Sequence, residues 1–192
     1  MRRYKLSILI VLLLSLISGS VAYSGQPIPA PEQGKALVIF MRPSNFGGMI
    51  KSSVFDITSG KDEIIGILSA KKKLAYSVSP GKHLFMVIGE NAGFMMADLE
   101  ASKTYYGLVQ VKMGAWKARF SLVPIRKDEL DSKEFLKWNK KTKLIENTEK
   151  SRAWASKHAP SIEDKRIKYI AKWNKKSAAE KAERTLQKDD GR

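Results

Sequence analysis

From Ala36 onward, apolar and polar residues alternate in short runs separated by turn residues, with a period of two rather than 3.6. Ala36–Arg42 (ALVIFMR) is almost wholly apolar, as expected of a strand buried on both faces, and Pro43 ends it. Ser53–Thr58 (SVFDIT) puts Val54, Asp56 and Thr58 on one face and Phe55 and Ile57 on the other. A Ser59-Gly60-Lys61-Asp62 turn leads into Glu63–Leu68, and a basic loop follows at Lys71-Lys72-Lys73. In Leu74–Ser79, Leu74, Tyr76 and Val78 oppose Ala75, Ser77 and Ser79. Pro80-Gly81 predicts a tight turn, because Pro presets φ and Gly accepts a positive one, with His83–Ile88 returning as the hairpin partner. Phe94–Leu99 and Thr104–Met113 come next. Gly114 then marks a return into Ala115–Ile125, where Trp116, Ala118, Phe120 and Leu122 share a face. The pattern predicts a mainly β fold over residues 35–125, an antiparallel β-sandwich of about seven to eight strands.

Beyond Pro124 the alternation stops and Lys, Glu, Ala and Trp take over, which predicts a basic, α-helical tail over residues 126–192. Phe135, Trp138, Ile145 and Thr148 lie near helical spacing, although Asn139 to Asn147 is ambiguous. Asn147 is placed to cap a short helix that ends at His158-Ala159-Pro160. Ser161-Ile162-Glu163-Asp164 resembles a capping box opening a helix from about Ile162 to Lys188. Ile162, Tyr169, Ile170 and Trp173 would form its docking face, and the residues beyond Ser177 are apolar enough only for a frayed end.

The N-terminus has a different character. Arg2, Arg3 and Lys5 precede an apolar stretch from Leu6 to Ile17, and small residues follow, with Ser20 and Ala22 in the positions a signal peptidase requires. Residues 1–22 therefore read as a signal peptide, and the run is short for a span of about 20 residues. An uncleaved inner-membrane anchor is the alternative, since Val21 to Tyr23 extends the run. Residues 23–34 form a Pro-rich linker, and folded structure is expected from Gly34. The expected location is the periplasm or cell envelope, with no transmembrane span after cleavage.

The net charge of +16 changes the picture mainly through its distribution. Residues 126–192 carry a net +8, against +5 over the longer segment 23–125. An asymmetry of this kind suits an anionic neighbour, such as membrane headgroups or surface polysaccharide, or an acidic envelope protein. Nucleic acid is not an expected partner, because export removes the chain from the cytoplasm. The absence of cysteine excludes disulfides, thiolate metal sites, a Cys nucleophile and a lipidated cysteine.

Ala36-Leu37-Val38-Ile39-Phe40-Met41-Arg42-Pro43, the segment from Gly60 to Ile67, the Val78-Ser79-Pro80-Gly81-Lys82-His83 turn and the Lys103-Thr104-Tyr105-Tyr106 strand start resemble the bacterial DUF2846 family. The resemblance covers residues 35–125. It implies a small exported β-sandwich, often a lipoprotein, and the same hairpin logic is similar to that of PEGA-type surface domains. Lacking a Cys after the signal, this chain departs from the lipoprotein members. The family brings no catalytic residues to carry over.

Candidate chemistry is sparse. Ser69-Ala70-Lys71-Lys72 fits a Ser-x-x-Lys pattern, but the sequence around it is strand and turn, without companion elements. Gly48-Met49-Ile50-Lys51-Ser52 lacks the adjacency of a phosphate loop and reads as a flexible Gly turn. His83 and His158 are the only histidines and fall in different regions, so no metal site is expected. Asp62, Glu63, Asp98 and Glu100 read as solvated loop acids. No catalytic residue or cofactor is expected, and an uncharacterised hydrolase ranks behind two binding readings. The first is a non-catalytic envelope binding or assembly module. The second is a peripheral protein that contacts an anionic surface or partner through its tail. Two similar segments, Lys137-Trp138-Asn139-Lys140-Lys141 and Lys172-Trp173-Asn174-Lys175-Lys176, supply that surface: Trp138, Lys140, Lys141, Tyr169, Trp173, Lys175 and Lys176. The plainer reading of the repeat is two helices, each resting a Trp on the β region.

Overall fold

The computed structural model describes residues 27–113 and 118–192. The signal segment, the first linker residues, Gly114 and Trp116 lie outside the described residues. The chain is mainly β with helices toward its C-terminus. Eight strands run through the first part: β1 (Ala36–Arg42), β2 (Ser52–Asp56), β3 (Glu63–Leu68), β4 (Lys72–Val78), β5 (Gly81–Ile88), β6 (Ala92–Leu99), β7 (Thr104–Met113) and β8 (Ala118–Ile125). The last part holds α1 (Lys133–Lys141), β9 (Lys143–Ile145), α2 (Glu149–Lys157), α3 (Ala159–Asn174), α4 (Ala178–Ala182) and β10 (Thr185–Leu186).

The strands form two five-stranded sheets, in the orders β8-β7-β1-β4-β9 and β10-β6-β5-β2-β3. Both sheets are mixed, which corrects the expectation of an antiparallel arrangement. Parallel pairs join β1 to β7, β4 to β9 and β6 to β10. Periodicity reports which face a residue takes and carries no information about strand direction, so this feature could not be read from it. Among the described residues the expected count of seven to eight strands becomes ten, because the tail adds one strand to each sheet.

Pro80-Gly81 is also corrected. β4 and β5 belong to different sheets, so the dipeptide turns a corner between layers rather than closing a hairpin. Gly81 takes a φ of 121°, open to glycine and costly for other residues. The partners of β5 are β2 and β6.

One apolar layer lies between the sheets. Val38, Phe40, Leu74, Val78, Tyr105, Val109 and Phe120 enter it from the first sheet, and Val54, Leu68, Phe85, Val87, Met95 and Leu99 from the second. Tyr76 packs against the same cluster, so Leu74, Tyr76 and Val78 share a face as the alternation predicts. The opposite faces of both sheets are covered by the C-terminal region. Leu130 and Phe135 bury against Leu37, Ile39, Met41 and Tyr106 on the first sheet, with Ile28 of the linker resting there too. Ala155, Ile162 and Trp173 bury against Phe55, Met86, Ile88 and Phe94 on the second. The order of layers is helix, sheet, sheet, helix, and the last third of the chain encloses the strands from both sides.

The helix boundaries differ from the sequence reading for local reasons. Thr148, not Asn147, caps α2, with its side chain accepting from the Ser151 N–H. Pro160 opens α3 rather than ending a helix, because the first helical turn needs no N–H from it. The helix expected to reach Lys188 stops at Asn174. Ser177 and Glu180 then form the reciprocal capping box that starts α4. The end expected to fray is anchored: Leu186 is fully buried, and Arg126 bonds the Thr185 carbonyl at 2.5 Å and the Asp190 carboxylate at 2.8 Å. Buried Lys73 likewise fastens α1 to β4 by donating to the Asn139 carbonyl (3.1 Å) and side-chain oxygen (2.5 Å).

Candidate functional site: a cleft between sheet and helices

A cleft of about 1060 Å³ opens where α2, α3 and the segment leading from β9 meet the edge of the second sheet. Its apolar lining comes from Ile50 before β2, Ile67 of β3, Ile88 of β5, Leu144 and Ile145 of β9, Trp154 of α2 and Ile162 of α3. These residues share the surface because β-period and helix-period faces are apposed there, which no single stretch of sequence encodes. Ser53, Ser69, Thr148, Ser151 and Ser161 add hydroxyls. Lys51, Lys150 and Lys165 border it together with Glu90 and Glu146. Lys165 ties α3 to the sheet by donating to the Gly89 carbonyl at 2.6 Å. His158 sits at the α2–α3 junction, where its Nδ1 donates to the Trp154 carbonyl at 2.7 Å and its ring stacks on Trp154. Concave, mostly apolar and dotted with hydroxyls, the cleft has the make-up of a site for a small apolar or amphipathic molecule.

A second polar cluster stands apart from the cleft. Asp56, turned to the inner face of β2 as its alternation predicts, lies 3.3 Å from His83 Nδ1 and accepts from Thr58 Oγ at 2.5 Å and from the Tyr76 hydroxyl at 3.2 Å. His83 Nε2 faces the Ser79 carbonyl at 2.9 Å, and the Leu84 N–H donates to Thr58 Oγ at 3.0 Å. Burial pushes the Asp56 carboxyl up, but its bonds with His83 and Thr58 outweigh that and hold it below the ordinary carboxylate value. The bond to Asp56 raises His83 against the opposing effect of burial. Burial, then the Asp56 charge, pushes the Tyr76 hydroxyl up. An acid, a His and a hydroxyl are therefore within reach of one another, but not in a nucleophile-activating order. The hydroxyl is on the acid's side of the ring, and the nitrogen that would serve as base points at a carbonyl. Both ring nitrogens face acceptors, so the protonated ring is the form this pocket favours.

The seven tail residues singled out from the sequence do not converge. Trp138 is partly buried against the first sheet, whereas Trp173 is 6% exposed on the second, its ring 5.9 Å from Phe94. Lys140 and Lys141 are exposed on α1, and Lys175 follows α3. Lys176 pairs with Glu180 at 2.6 Å, and Tyr169 is half-buried on α3 with Lys168 and Lys172 near its ring. Among the other sequence candidates, Ser69-Ala70-Lys71 forms the turn between β3 and β4. Asp62 is not a free loop acid but contacts Arg166 of α3 at 2.8 Å, and Glu100 pairs with Lys103 at 2.5 Å. The cleft itself had no sequence signal; the polar cluster had one, the inward parity of Asp56.

The chain matches no protein-family model, and no curated protein matches it in sequence. Among the described residues, no helix is long and apolar enough to cross a membrane.

Proposed function

We propose that this chain is a non-catalytic, exported protein of the bacterial envelope that binds a small apolar or amphipathic ligand in the cleft between its second sheet and the α2–α3 pair. The cleft carries the reading: its isoleucine and tryptophan lining would gain by being covered, and its hydroxyls and lysines would orient a polar end. The signal-like N-terminus supports export, and the two stacked sheets suit the exported β-sandwich implied by the DUF2846 and PEGA resemblances. The closed geometry around His83 supports a binding role over hydrolysis.

Nile red, a neutral solvatochromic probe, tests the site. Its emission should rise and shift to the blue on the wild-type protein, and oleate should displace it. Ser161→Trp, at an exposed position on the cleft wall, should weaken the probe at least tenfold with unchanged circular dichroism. Equal binding by the variant, or no binding by the wild type, overturns the assignment.

A further inference from the structure

Arg42 is completely buried, yet among the described residues its guanidinium meets no carboxylate. It donates instead to the backbone: to Ile50 O at 2.6 Å, Gly47 O at 2.8 Å, Phe46 O at 3.2 Å and Leu68 O at 3.4 Å, with its charge 5.0 Å from the centre of the Phe120 ring. Three of these four carbonyls belong to the loop between β1 and β2. That loop is turned further by the Ile50 N–H bonding Gly47 O at 2.9 Å and by Gly47 at a φ of 60°. The sequence alone suggested a flexible glycine turn; the structure braces it from beneath.

What the brace holds outward is apolar. Among the described residues the exposed large hydrophobics are Phe46 (49%), Met49 (97%), Ile50 (41%) and Ile167 (56%), and the first three sit on this loop. Isolated exposed hydrophobics are ordinary, but three on one braced projection form a patch. On the side toward α1 the surroundings are cationic, whereas Glu90 and Glu146 line the cleft on the other side. A cleft of about 740 Å³ runs from Ser44 and Asn45 to α1, edged by Lys71, Lys133, Lys137 and Lys141, with Glu134 the acid among its lining residues. Exposed Lys51 follows the loop directly.

We infer that the Phe46–Ile50 loop is a membrane-docking finger, which inserts its apolar side chains at the interface of an anionic phospholipid bilayer while the neighbouring lysines contact the headgroups. An apolar tip with a lysine collar matches the two layers of such a surface, the acyl boundary and the anionic headgroups. A charged macromolecule would use the lysines and leave Met49 in water. A second copy of this chain would bring the same positive charge against itself. The finger is distinct from the tail residues Trp138 and Trp173, whose rings are occupied in packing; its base at Ile50 also borders the cleft, but Phe46 and Met49 stand outside it, so docking through them does not depend on the cleft being a ligand site.

The cysteine-free chain permits a local test. Met49→Cys labelled with NBD should shift to the blue and brighten on vesicles containing 30% phosphatidylglycerol, but not on pure phosphatidylcholine, and the response should fall with salt. The same label at Ile167→Cys on α3 should stay unchanged. Lys133→Glu/Lys137→Glu should weaken vesicle binding of the position-49 probe at least tenfold, and Phe46→Ser should do the same without altering Nile red binding in the cleft. A protein held to vesicles only by its N-terminal segment would float while the position-49 label remains in water, and that result overturns the inference. Equal response to neutral vesicles, or a shift produced by protein concentration alone, overturns it as well.

Discussion

Replacing Leu186 with alanine tests whether the C-terminal residues are part of the core or an appendage. Leu186 is fully buried, pairs with Ala97 across the β6–β10 ladder and belongs to the apolar layer between the sheets. The substitution removes three carbons, worth about 2.4 kcal/mol at about 0.8 kcal/mol per buried methylene. The residual cavity adds to this, and Leu→Ala changes in cores fall at about 2–5 kcal/mol. β10 is a two-residue edge strand that can settle partly into the space, so a loss of about 2.5–3.5 kcal/mol is expected. In urea unfolding monitored by tryptophan fluorescence, with a slope of about 1–3 kcal/mol/M, the midpoint should fall by about 1–3 M. Gln187→Ala, at the exposed neighbouring position, should stay within about 0.5 kcal/mol of the wild type. If Leu186→Ala costs less than about 1 kcal/mol, the final turn is not packed as described, and the tail ends as loosely as its composition suggests.

Other expectations follow from the same geometry. The His83–Asp56 contact should stabilise the fold most between about pH 3.9 and 6.5, the unfolded values of the two groups. Below that window the lowered Asp56 carboxyl becomes protonated; above it the raised His83 ring loses its proton, and each loss removes its contribution. His83→Gln should therefore cost about 1.5–3 kcal/mol inside the window and less at alkaline pH, and a penalty independent of pH in denaturation curves would refute the pairing. Gly93→Ala should cost about 1–3 kcal/mol by crowding. Its added carbon would stand 2.8 Å from the Phe120 carbonyl and 3.0 Å from Ser121 Cα, both backbone, so an unchanged melting temperature would contradict the close approach of β6 to β8. Lys73→Ala should lose about 2–4 kcal/mol by orphaning Asn139 and leaving a void, while Lys73→Met should lose less; equal stability of both variants in urea would show that the amine does not fasten α1.

Much of the first part of the fold was legible because strands of half-buried sheets leave a period-two record. β1, β3 and β7 have the boundaries their apolar runs predict, and Val54 and Asp56 face inward while Phe55 faces out, as parity requires. The helices left a fainter record, since their apolar stripes are short and Pro160 and Ser177 each have two local readings. The finger at Phe46–Ile50 was visible only as a glycine-rich stretch, because its brace is a buried Arg42 whose guanidinium lies against the ring of Phe120, far along the chain.

The sequence by itself determined which residues alternate faces, where β1, β3 and β7 begin, how charge accumulates toward the C-terminus, and that the N-terminus resembles an export signal. Only the tertiary structure decided which strands are neighbours, that Pro80-Gly81 joins two sheets, that Leu186 lies in the core, and that a cleft and a braced apolar loop exist. The physical reason is the range of the interactions. Period and capping act between residues a few positions apart, whereas sheet order, burial of a lone guanidinium and the walls of a cleft are set by contacts between segments separated by tens of residues.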